Sequence, residues 1–191
     1  LMDYLESERE LVAVDNEQSQ LNYLKKRIES YDPEKLSLCS FICKSFPDET
    51  LFDRNYALII FSHLLHFFTL QDCIEIGKLV AEKTQPGTLI YARVHSQKHY
   101  TNTPDHPNSD DPYFKHFFSV ADLDNVFPPD KFKRLYAAEI ESEITALERK
   151  VQTKWIDEVC RLSKIRDKRE VSQIKKEHLK DQKESMIDVI Y

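Results

Sequence analysis

The chain has 191 residues, which suits one domain of about 100–200 residues plus an appendage. With 41% hydrophobic and 11% aromatic residues it can bury a core, which excludes general disorder, and its formal charge of −6 argues against nucleic acid bound over the whole surface. No apolar run reaches the roughly 18 residues that a membrane-spanning helix needs, and nothing resembles a signal peptide, so no membrane span is expected.

Residues 1–9 read as the end of a helix. The apolar run Leu11-Val12-Ala13-Val14 then stops at a single acid, Asp15, which reads as a buried strand with a carboxylate at its tip. Leu21, Leu24 and Ile28 share one side of a helix over 17–30, closed by a turn at 31–35. A second short strand is expected over 36–42. A third spans 56–61, apolar at every position as in a strand covered on both faces. The next helix begins near Thr69 or Gln71, carries Cys73, Ile74, Ile76, Leu79 and Val80 as its stripe, and ends at Pro86-Gly87. Residues 88–94 form a fourth strand. Strands alternating with helices at this spacing predict an α/β fold, a doubly wound and mostly parallel sheet.

A polar loop runs from His95 to Pro112. It holds His95, His99 and His106 with Asp105, Asp110 and Asp111, but the spacing matches no common ligand motif, so no metal is expected and the loop reads as a polar lid over a substrate. Ser119 caps a short helix that stops at Pro128-Pro129, and the aromatics of "YFKHFF" before it read as core residues. From Tyr136 the period switches to two, with Tyr136, Ala138, Ile140 and Ile144 opposite Glu139, Glu141 and Glu143, as in a half-buried strand near a sheet edge. Ile140, Ile144, Leu147, Val151, Trp155, Val159 and Leu162 also step by three or four, so two periodicities compete over 140–163. Residues 166–191 read as a charged helical tail apart from a domain over 1–165. The tail ends in "MIDVIY", whose Ile187, Val189, Ile190 and Tyr191 are expected to be exposed, for a protein partner or for self-association.

Cys39, Cys43, Cys73 and Cys160 match neither a CxxC pair nor a disulfide framework and read as reduced thiols in a cytoplasmic setting. Gly77 and Gly87 are the only two glycines, so the sequence contains no glycine-rich phosphate cradle.

Taken in order, "LVAVDNEQSQLNYLKKR", "YALIIFSHLLHFF", "KLVAEKTQPGTLIYARVHS" and "PYFKHFFSVADLDNVF" resemble successive segments of a class I S-adenosylmethionine-dependent methyltransferase over roughly residues 10–140. The resemblance implies a Rossmann-like fold, S-adenosyl-L-methionine as cofactor and a small-molecule or protein methyl acceptor. It places Asp15 and Asn16 at the cofactor ribose, Phe41 and Ile42 beside the adenine, and Phe61 and Ser62 next to the methyl group. His63 and His66 are the candidates for a catalytic base. It also favours an antiparallel pair of strands at 134–141 and about 155–162. The family's first strand and glycine-rich turn are expected before residue 1, the strand lying between those that end at Asp15 and Phe61. Phe41 stands where the family has an acid for the adenine amino group, and Ala57 where it has another acid. A degenerate methyltransferase fold acting as a protein-binding module is therefore the alternative reading. A nicotinamide enzyme would use Asp15 in the same way.

Overall fold

The structure, a computed structural model, describes residues 9–102, 113–143, 149–150, 153–154, 156–157, 160–161, 167–179 and 183–191. Residues 1–8 and 103–112, and the stripe positions Ile144, Leu147, Val151, Trp155, Val159 and Leu162, lie outside the described residues. The chain forms two compact units, Leu1–Asp53 and Arg54–Tyr191.

In the first unit, β1 (Leu11–Asp15) pairs in parallel with β2 (Cys39–Cys43). The connection is helix α1 (Gln18–Tyr31), which packs on both strands and buries Leu21 and Ile28, two members of the stripe read from the sequence. Asp32 ends α1 and accepts the Glu34 N–H at 3.0 Å, opening a 3₁₀ segment, Pro33–Leu38. That segment takes the first half of the expected second strand: proline at its start fixes a helical φ and forfeits a strand donor.

In the second unit, β3 (Leu58–Ser62), α2 (Leu70–Lys83) and β4 (Leu89–His95) make a parallel crossover. Thr69 and Asp72 cap α2 reciprocally, and Ser119 and Asp122 do the same for α3 (Val120–Val126). The remaining elements are β5 (Tyr136–Glu143), α4 (Lys168–Leu179) and β6 (Lys183–Ile190). The strand order is β3-β4-β6-β5, and β6 is antiparallel to both neighbours. The architecture is α/β with mixed pairing, since parallel ladders occur at β1–β2 and β3–β4 and antiparallel ones at β4–β6 and β5–β6. Among the described residues, β1 and β3 are each edge strands of their sheets.

Two expectations are corrected here. The end of the chain is not an exposed apolar patch on a helical tail: Ile187, Val189 and Tyr191 are buried, and β6 is an interior strand. The described residues of 149–161 are helical rather than a strand, with Ile156 and Cys160 buried one helical turn apart. The three-and-four step wins there over alternation, and the antiparallel partner of β5 comes from 183–190 instead.

All four cysteines are free, and no helix among the described residues is long and apolar enough to cross a membrane.

Gly77 sits where α2 crosses α3. A Cβ built on it would lie 1.8 Å from the Val126 carbonyl oxygen, a backbone atom that a rotamer change cannot move. Gly→Ala inside a helix ordinarily stabilises by about 1 kcal/mol. Here Gly77→Ala should instead destabilise by on the order of 2 kcal/mol, because the helices must separate. Denaturant unfolding of the two proteins checks the sign; a more stable variant would show that this crossing is wrong.

Candidate functional site

In the first unit the candidate residues gather at the carboxyl ends of β1 and β2, where ligands of parallel sheets bind. Asp15 lies opposite Cys43 in the ladder, and its backbone carbonyl accepts the Lys44 N–H at 3.0 Å. One carboxylate oxygen, Oδ1, accepts the Glu17 N–H at 2.8 Å. The helix cap position itself belongs to Glu17, so Asp15 is not the N-cap of α1. Its Oδ2 has no hydrogen-bond partner among the described residues. Register and alternation put Ala13 and Phe41 on the face of Asp15, and Val14 and Ile42 on the other. The two residues expected at the adenine therefore point to opposite sides, and only Phe41 shares a face with Asp15. Asn16 is exposed, and its carbonyl accepts the Cys43 thiol at 3.6 Å. Cys43 is itself exposed at this tip, a position visible only once register is known.

In the second unit the candidates lie at the carboxyl ends of β3 and β4. Phe61 is 3% exposed and stacks on Phe127 with centroids 6.2 Å apart, which makes its side chain a core group. Ser62 and His63 are exposed. His63 has a φ of 54°, a left-handed backbone outside glycine, held by its N–H donating to the Arg93 carbonyl at 2.9 Å. Such backbone costs on the order of 1 kcal/mol and concentrates at functional sites.

His66, by contrast, is 1% exposed. Its ring stacks on His95 at 3.9 Å and 20°, and His95 stacks on His99 at 4.0 Å and 11°. His63 stands nearly perpendicular to His66 and His95, with centroids 6.1 Å from each. The start of the expected polar lid is thus packed interior: His95, Ser96, His99 and Thr101 are all buried. The remainder, with His106 and its three aspartates, lies outside the described residues.

The electrostatics separate the two candidate bases. Burial, and then the imidazoles of His95, His63 and His99, push His66 down to about 2. Burial, then His63, push His95 down to about 4. Burial and the Arg93 cation lower His63 as well. His66 is therefore a neutral core group with no proton affinity to use near neutrality, and His63 is the accessible imidazole.

No known protein family and no curated protein matches the sequence. Solved structures do match the fold. TehB from Haemophilus influenzae superposes over 95% of this chain and 49% of its own, with a TM-score of 0.54 and 14% identity. A putative sarcosine dimethylglycine methyltransferase from Galdieria sulphuraria covers 95% of this chain and 68% of its own, with a TM-score of 0.52 and 12% identity. Coclaurine N-methyltransferase, bound to N-methylheliamine and S-adenosylhomocysteine (SAH), covers 94% and 59%, with a TM-score of 0.53 and 13% identity. The chain has the fold of these proteins, two of which are named as methyltransferases, and spans about half the length of TehB.

The buried histidines give a pH dependence whose sign follows directly. An unfolded histidine takes up its proton near pH 6.5. The folded protein accepts one at His95 only near 4 and at His66 near 2. Below about pH 6.5 the unfolded chain binds more protons, so stability falls as the pH drops towards 4 and does not change on this account above about 7. His95 alone accounts for on the order of 3 kcal/mol. Denaturant midpoints at pH 7.5, 6 and 5 should fall more steeply for the wild type than for His66→Phe/His95→Phe; parallel profiles would contradict the assignment.

Proposed function

We propose that this chain carries the ribose- and adenine-holding part, and the acceptor side, of an S-adenosylmethionine-dependent methyltransferase. The observation that carries the reading is Asp15, at the carboxyl end of a parallel strand with Oδ2 available and Phe41 on the same face. A carboxylate accepts hydrogen bonds from a vicinal diol, and an aromatic ring offers a flat apolar surface to a purine. The fold shared with coclaurine N-methyltransferase and with the sarcosine dimethylglycine methyltransferase of Galdieria sulphuraria supports the same reading. Bound there, S-adenosyl-L-methionine would supply an electrophilic methyl group on sulfonium.

The residues of each unit have a task of their own. Asp15 fixes the ribose, with Asn16 beside it, and Phe41 flanks the adenine. Phe61 anchors the end of β3 in the core, which sets the direction of Ser62 and His63. His63 is neutral near pH 7, since its proton affinity is lowered, and can accept a proton from an incoming small-molecule or protein nucleophile. His66 positions rather than reacts, because it is buried.

Calorimetric titration of SAH into the longest natural form of the protein tests this. Wild type should bind, and Asp15→Asn should weaken binding on the order of 10- to 100-fold, as expected when a charged acceptor is lost. Absence of binding, or equal affinity for the two proteins, would overturn the reading.

A further inference from the structure

The stacked histidines do something that the proposed methyl transfer does not require. His66 lies in the 3₁₀ turn after β3, Leu65–Phe67, and His95 is the last residue of β4. Their rings are parallel and in contact, with 1% and 7% exposure, and the buried Nδ1 of His95 has no hydrogen-bond partner among the described residues. The segment 114–118 is attached to this pair twice over. By backbone, the Lys115 N–H donates to the His66 carbonyl at 2.8 Å, the Phe118 N–H to the His95 carbonyl at 2.9 Å, and the Gln97 N–H returns to the Phe118 carbonyl at 3.1 Å. By side chain, Phe114 stands edge-on to both imidazoles at 5.0 and 4.5 Å.

Among the described residues, the charged and titratable groups around the pair offer a proton no counter-ion. From the turn after β3 comes His63, and from the segment after β4 come His99 and Tyr100. From 113–118 come Lys115 and His116, whose N–H groups reach the His66 carbonyl, and from β4 comes Arg93, which acts on His63. The carboxylates of β6, Glu184 and Asp188, act on His63 and not on the pair, and the β6 residue opposite His95 is Met186.

We propose that the His66–His95 stack is an acid-sensitive latch, which holds residues 96–102 and 114–118 against the ends of β3 and β4 while both rings are neutral and lets them go when either takes up a proton. A cation between these rings would be buried in an aromatic shell with no partner among the described residues. Opening the segments hydrates it while leaving β3, β4 and β6 paired, so local release comes before global unfolding. An exposed imidazole of ordinary pKa, about 6.5, favours the open form by roughly 30-fold per ring at pH 5.

Amide hydrogen exchange, corrected for the intrinsic pH dependence of exchange, tests the latch. Protection of the Lys115, Phe118 and Gln97 amides should fall at least tenfold between pH 7.5 and 5. The amides of Ile90 and Tyr191, which bond across β4 and the end of β6, should change far less. In His66→Phe/His95→Phe the drop should vanish. Uniform loss of protection across both sets, or an equal drop in the variant, would overturn the proposal. Should the variant not fold, the wild-type imidazole signals decide. A His95 transition at the midpoint of amide release supports the latch, and one at a separate pH overturns it.

Discussion

Between β4 and β5 the larger sheet has room for one strand, and the last residues of the chain fill it. The strand β6 bonds to β4 on one side and β5 on the other, and Tyr191 and Ile90 exchange both backbone bonds at 2.9 Å. A strand in that position must present groups suited to two faces, and "KESMIDVI" does so. Ile187 and Val189 go to one side; Met186 and Asp188 go to the other, where Asp188 meets Arg93 of β4 through two bonds at 2.7 and 2.9 Å. A carboxylate this buried without its guanidinium would be strongly destabilising, so the pair fixes the register rather than merely decorating it. Beyond β6, Tyr191 packs on Phe127 and Phe132 and donates its hydroxyl to Asp124, tying the sheet to the end of α3.

What could be read in the sequence was local. The α1 stripe of Leu21 and Ile28, the Thr69 and Ser119 caps and the acid at the tip of β1 are all set within a few residues, and each stands where the pattern placed it. The end of the chain was not legible. Asp188 interrupts the apolar run and makes "MIDVIY" look like the frayed end of a charged helix, and the group that neutralises it is 95 residues away. Over 149–161 the reverse holds: the sequence carries a helical stripe, but the alternation further upstream, real in β5, competes with it.

The candidate site divides in the same way. Asp15 announces itself by ending an apolar run, and register then selects Phe41 over Ile42 as its neighbour on the same face. The histidines could not be sorted by sequence, because His63 and His66 are three residues apart in one apolar segment. Only the turn after β3 shows that one is strained and accessible and the other is stacked in the interior. Nor does any spacing reveal that His95 and His99, read as part of a polar loop, complete that stack. Imidazole faces are apolar enough to pack like phenyl rings while neutral, and their pattern in sequence is that of ordinary polar residues.

The interior position of β6 is the claim on which the second unit rests. It is tested most directly by removing residues 183–191 and measuring denaturant unfolding by tryptophan fluorescence and circular dichroism. The account predicts loss of the cooperative transition, because β4 and β5 would each lose their shared neighbour and the core would lose Ile187, Val189 and Tyr191. A truncated chain that unfolds cooperatively at an unchanged midpoint would show that these residues are a tail after all.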